Sequence, residues 1–207
     1  MSVATSQAAA RTPQLQLVPS LPIWQLSVEQ YHQMIQTGIL TEDDPVELLE
    51  GWLVPKMPKN PAHCFSTELA RESIATLLPP GFFVSGQQPL TTDDSEPEPD
   101  AMIVRGARRD FLTRHPQGGE IALVIEVADS SLSRDRAQKR RVYARAGVPV
   151  YWIINLSENQ LEVYSAPASE AESADYQQRQ DYLSADEVPL LLDGREVGRL
   201  RVSELLP

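Results

Sequence analysis

The chain has 207 residues, a formal net charge of -11, 42% hydrophobic and 23% charged side chains, and one cysteine. Its length suits one domain that buries about two thirds of its unfolded surface, and its composition is that of a soluble globular protein rather than a disordered or fibrous one. The acidity argues against coating nucleic acid by bulk attraction, lone Cys64 excludes a disulfide framework or multi-cysteine zinc site and fits a reducing cytoplasm, and no stretch approaches the roughly 20 apolar residues that cross a bilayer.

Residues 1–22 lack both a basic start and a continuous apolar core, so they read as a flexible tail rather than a secretory signal, which leaves 23–207 as a single domain. Ser27 then caps a helix in which Val28, Tyr31, Met34 and Ile35 recur at helical spacing before Gly38. Two short apolar pieces around Glu50-Gly51 give a hairpin signal over 45–54. Leu69, Ile74, Leu77 and Leu78 predict a second helix from about Ala62 to Leu78, stopped by Pro79-Pro80-Gly81. Strands are expected at 82–84 and 100–104, separated by the acidic, proline-rich stretch 92–99, which reads as a solvated loop.

The run Ile121-Ala122-Leu123-Val124-Ile125-Glu126-Val127-Ala128 predicts a strand covered on both faces. A helical segment from Ser133 to Ala146 ends at Gly147, a strand follows at 150–154, and Leu161–Tyr164 reads as an edge strand. Strand, helix and returning strand form a crossover unit, so the fold class is α/β with a mixed sheet. Ala168 to Asp175 reads as a loop, and Asp193-Gly194 suggests a second small hairpin. Tyr151 and Trp152, in an apolar strand, read as core and as contacts between copies.

Glu126 is the residue hardest to reconcile with packing. An ionised carboxylate in such a strand costs several kcal/mol unless it is protonated, paired or bound to metal. Alternation places Ala122, Val124, Glu126 and Ala128 on one face, small enough to leave room for an ion, water or substrate. From the strand alone, a structural ion pair and a metal site are both open. Asp100, at the start of a neighbouring strand, supplies a second carboxylate. Two carboxylates and the Val127 carbonyl suit magnesium, which takes oxygen ligands and keeps several waters for exchange with substrate oxygens. Lys139 could orient an attacking water and offset developing charge, or it could form an i,i+4 pair with Asp135 on a wet face. Six basic residues, Arg134, Arg136, Lys139, Arg140, Arg141 and Arg145, fall within twelve positions, spread over more than one helix face.

Pro99-Asp100, Glu126-Val127, Asp135, Lys139, Tyr143 and Gly147-Val148-Pro149-Val150-Tyr151-Trp152, with the upstream Glu47-Leu48-Leu49-Glu50-Gly51 and His63, resemble the Uma-two family of putative endonucleases, within the PD-(D/E)xK restriction-endonuclease-like superfamily. The resemblance implies an α/β/α core with a central mixed sheet and flanking helices, and a phosphodiesterase site using magnesium, or manganese in its place. In it Asp100 and Glu126 hold metal, Lys139 is a catalytic lysine moved from the strand position occupied by Ala128 to the following helix, and Glu47 completes the acidic cluster. Arg136 and Arg140, with His63, are then the candidate nucleic-acid contacts, with a polar group at a helix start as the other reading of His63. Ala128-Asp129 and Asn155 depart from the family's usual residues without removing a ligand. The expected function is a metal-dependent DNA endonuclease, cytoplasmic and homodimeric because two strands need two sites. The alternatives are an inactive nuclease-fold module binding nucleic acid or protein, and a small-nucleotide phosphohydrolase.

Overall fold

The computed structural model of the protein describes residues 23–169 and 173–207, so the expected tail at 1–22 lies outside the described residues. Helix α1 (Val28–Gln36) starts behind Ser27, whose hydroxyl accepts from Gln30 N while the Gln30 side chain accepts from Ser27 N, a reciprocal capping box. Strands β1 (Val46–Leu49) and β2 (Trp52–Pro55) form the expected hairpin. Its turn needs positive φ at two successive residues, met by Glu50 at 52° and Gly51 at 79°. A side chain at Gly51 would also put its Cβ 2.6 Å from Gln25 Cβ. Helix α2 (Pro61–Ala75) begins with proline behind an Asn60 cap, the position where a missing N–H costs nothing.

The central sheet has six strands in sequential order: β3 (Phe82–Gly86), β4 (Ala101–Arg105), β5 (Ile121–Ala128), β6 (Val150–Asn155), β7 (Gln160–Ala168) and β8 (Asp175–Leu183). All neighbours are antiparallel except β5 and β6, which run parallel because a helical crossover joins them. That crossover comprises α3 (Leu132–Arg134), a π-helical turn over Asp135–Lys139, and α4 (Arg140–Arg145). On one face Val142, Tyr143 and Ala144 of α4 pack on Met102, Val124 and Ile153. On the other, Ala70 and Ile74 of α2 join Ile103, Ile125 and Trp152, and the layer is completed by a C-terminal hairpin, β9 (Glu187–Leu192) and β10 (Arg195–Arg201), turning at Asp193-Gly194. The mixed α/β sheet with helices on both faces agrees with the sequence reading.

Four local expectations are corrected. First, Val104 pairs with Ile121 and Ile103 with Leu123, which leaves Ala122 as a bulge. The extra residue resets the alternation, so Ile121 joins the Val124 face and Ala122 packs with Leu123 and Ile125. Second, the stretch 92–99 is not a solvated loop: Ser95, Glu96, Pro97 and Pro99 are buried. Its polar groups find partners inside, with Glu50 N donating to Ser95 Oγ, Glu96 N to Leu48 O, and Glu96 Oε2 lying 2.7 Å from both His32 Nε2 and Thr91 Oγ1. Third, β7 is interior and the edge is β8, whose polar run Gln177-Gln178-Arg179-Gln180-Asp181 carried no strand signal. Fourth, Tyr151 and Trp152 are buried within the chain, leaving no surface for contact between copies.

The buried acidic stretch follows β3, packs against the β1–β2 hairpin and leads into Asp100. Replacing Glu96 with alanine removes its part-buried contacts with His32 and Thr91, and should lower the unfolding free energy by about 2 kcal/mol. Urea denaturation measures this; an unchanged midpoint would show that the stretch is held by its backbone alone.

Candidate active site

Glu126 is placed by β5 and is only 3% exposed. Its partner is Lys139, whose Nζ lies 2.8 Å from Glu126 Oε1. Asp135, Lys139 and Tyr143 recur every fourth residue along the crossover helix, and all three are buried against the sheet. The π turn that contains Asp135 and Lys139 is the kind of local widening that often accompanies functional sites. Tyr143 OH donates to the same Glu126 Oε1 at 2.6 Å, so one oxygen carries both bonds. The wet-face pair of Lys139 with Asp135 is therefore not the arrangement found.

Glu47 arrives from β1, also 3% exposed. Its Oε2 lies 3.5 Å from Lys139 Nζ and accepts from Glu98 N, while Oε1 is 4.0 Å from Arg134. Asp100 stands just before β4. The β4–β5 ladder ends at the pair Ala101–Ile125, so the Val127 N–H beyond it is left for the Asp100 carboxylate, at 2.9 Å. Val127 thus meets the site through its amide N–H. His63 Nε2 lies 3.1 Å from Asp100 Oδ2, and Lys59 Nζ 3.2 Å from Oδ1.

These groups line one cavity of about 60 Å³ with Glu47, Asp100, Glu126, Asp135 and Lys139 in its wall and Lys56, Lys59, Glu98 and Arg134 around them. Burial pushes the Glu126 carboxyl up to about 8, against the pull of Lys139. Burial also raises Asp135. For Asp100 burial is outweighed by His63, the Val127 amide and Lys59, and its carboxyl is held below the usual range. Burial alone would strip the proton from Lys139, but Glu126, Glu47 and Asp135 outweigh it and keep the ammonium charged.

Among the described residues no three Asp, Glu, His or Cys side chains are drawn together as a ready-made ligand shell. The reason is visible in the contacts: Lys139 occupies Glu126 Oε1, and Lys59 and His63 occupy Asp100. The donor set is nevertheless all carboxylate oxygen, the chemistry that suits a hard divalent cation needing few protein ligands. No hydrogen bond to Glu126 Oε2 is present among the described residues, so that oxygen is free for a cation.

Sequence reasoning brought Asp100, Glu126, Lys139, Glu47, Val127 and His63 to this place, and the structure joins all six. It sets Arg136 and Arg140 apart. Arg136 grips buried Glu162 through Nε and Nη2, and Arg140 holds Asp175, both outside the cavity. Arg141 and Arg145 close on Glu50. The helix is not a free basic face. Three groups were missed as site residues: Asp135 and Tyr143, whose four-residue spacings from Lys139 were a usable signal, and Lys59, in an irregular segment with no periodicity to read.

A model of the Uma2 family, described as "Putative restriction endonuclease", matches residues 28–195. No curated protein matches the chain. Among solved structures, the crystal structure of a putative nuclease belonging to DUF820 from Anabaena variabilis ATCC 29413 superposes with a TM-score of 0.66 at 15% identity, covering 87% of this chain and 97% of that one. At that identity the likeness speaks for the fold. With the family model spanning most of the chain and the fold agreeing, the chain belongs to the Uma2 family of putative restriction endonucleases.

Proposed function

We propose that the protein is a metal-dependent endonuclease that hydrolyses phosphodiester bonds in DNA. The observation that carries this reading is the buried Lys139 ammonium, set between Glu126 and Glu47 in a carboxylate-lined cavity that also contains Asp100. A structural ion pair would need one acid. Here four carboxylates, Glu47, Asp100, Glu126 and Asp135, converge on one small volume, at a desolvation cost that packing alone does not require.

Asp100 and Glu126 would hold magnesium or manganese, with the Val127 carbonyl as a further oxygen and Glu47 at the margin of the cluster. The cation would supply charge stabilisation at the scissile phosphate and acidify an attacking water. The chain's own groups do the rest. Tyr143 fixes Glu126 by donating to Oε1. The Val127 amide and His63 fix Asp100 through Oδ2. Lys139, held charged by its acidic neighbours, has N–H donors to orient a water and to meet negative charge developing on the phosphate oxygens. Cutting both strands of a duplex would use two copies of the chain. An exposed free Cys64 agrees with a reducing cytoplasm as the place of action.

The direct assay is nicking of supercoiled plasmid with magnesium or manganese. Wild type should cut, whereas Asp100→Ala, Glu126→Ala and Lys139→Ala should each lose about a hundredfold or more; equal rates in all four would remove the proposal and leave a binding module on a nuclease fold.

Metal binding should also release a proton. A carboxyl pushed up to about 8 is mostly protonated at neutral pH and must ionise to become a ligand. Apparent metal affinity should therefore rise with pH until about 8 and level off above it. Calorimetry in two buffers of different ionisation enthalpy reads the proton count, and a buffer-independent heat at pH about 7 would contradict the assignment of Glu126 as a ligand.

A further inference from the structure

A chain of net charge -11 has no bulk attraction for a polyanion, so any DNA contact has to be local. Besides buried Lys139, the cavity is lined by three cations, Lys56, Lys59 and Arg134. Lys56 and Lys59 lie in the segment between β2 and α2, and Arg134 closes α3. Arg134 Nη1 donates to Pro55 O at 2.7 Å, which ties those two segments together beside the cavity. The three side chains are 33%, 38% and 24% exposed, so each reaches solvent while bordering the site.

Their attachments differ from those of the neighbouring arginines. Lys56 holds one acid, Glu98, and Lys59 one acid, Asp100, at 3.2 Å. Arg134 reaches Glu47 only at 4.0 Å. An ammonium on a four-carbon stem can swing to a phosphate oxygen at small cost. Arg136, Arg140 and Arg141, by contrast, each engage a carboxylate through two nitrogens. Turning Arg136 outward would strip its main partner from fully buried Glu162, an expensive step. The charge count at the cavity agrees: with every group ionised, as metal binding requires of Glu126, five carboxylates (Glu47, Glu98, Asp100, Glu126, Asp135) and four cations (Lys56, Lys59, Arg134, Lys139) with one divalent cation sum to a formal charge of +1.

We infer that Lys56, Lys59 and Arg134 form the phosphate-backbone contact for DNA, in place of the crossover-helix arginines. This rests on the nuclease reading, and it adds which side chains hold the strand across the cavity. Lys59 couples the two events, since a cation taken up by Asp100 frees the Lys59 ammonium for the phosphate.

The test is binding of a fluorescent DNA duplex to the full chain, followed by anisotropy with calcium across about 50 to 200 mM salt. The logarithm of affinity should fall linearly with the logarithm of salt, and the slope should flatten by about one for each cation removed in Lys56→Ala, Lys59→Ala and Arg134→Ala. Lys59→Arg should restore the slope, because it keeps the charge. Arg140→Ala should leave the slope unchanged. Wild-type slopes in the lysine variants, or a flatter slope in Arg140→Ala, would overturn the inference. If the plasmid is cut by wild type while those slopes fail, the contact set alone is wrong. If wild type shows no salt-sensitive binding and no cutting, the nuclease reading falls and the contact set with it.

Discussion

The structure turns on one buried contact, Lys139 Nζ to Glu126 Oε1 at 2.8 Å. A carboxylate in the middle strand of a sheet covered on both faces is affordable only with a cation beside it. Supplying that cation dictates much else: β5 and β6 run parallel so that the crossover helix lies over β5, the helix widens into a π turn over Asp135–Lys139, and Tyr143 one turn later shares the same oxygen. Glu47 from the β1–β2 hairpin reaches the ammonium at 3.5 Å, and Asp100 from the start of β4 lines the same cavity.

Such an arrangement is under tension. Several acids crowd one volume, and burial holds Glu126 up near 8 while Asp100, with His63, Lys59 and the Val127 amide around it, is held down. The two carboxylates proposed to share a metal thus stand in different electrostatic states, one of them ready to lose a proton. Lys59 and Lys139 offset part of the acids' charge, and in the proposed function both lysines lie beside the substrate phosphate.

Much of the sheet was legible in the sequence because it rests on short-range patterns. The apolar run 121–128 with one acid, the helical spacing after it and the return at 150–154 specify a crossover whatever surrounds them. The family resemblance added the order Glu47, Asp100, Glu126, Lys139, and these four do meet. The failures came where partners are distant in sequence. Nothing local in 92–99 says that His32, Leu48 and Glu50 satisfy it, so an acidic stretch looked solvated. Strand β8 is polar because it is an edge, and it passed unnoticed. Basic residues packed into one helix looked like a nucleic-acid face, but Glu162, Asp175, Glu50 and Asp94, scattered through the chain, engage them.

Glu126 and Asp100 are proposed to share a metal beside Lys139, with Glu126 Oε2 as the open ligand oxygen. A crystal structure of the full chain soaked in manganese, with anomalous data, tests that directly. The expected result is an anomalous peak about 2.0–2.6 Å from an Asp100 oxygen and from Glu126 Oε2. No anomalous density in the cavity would contradict it.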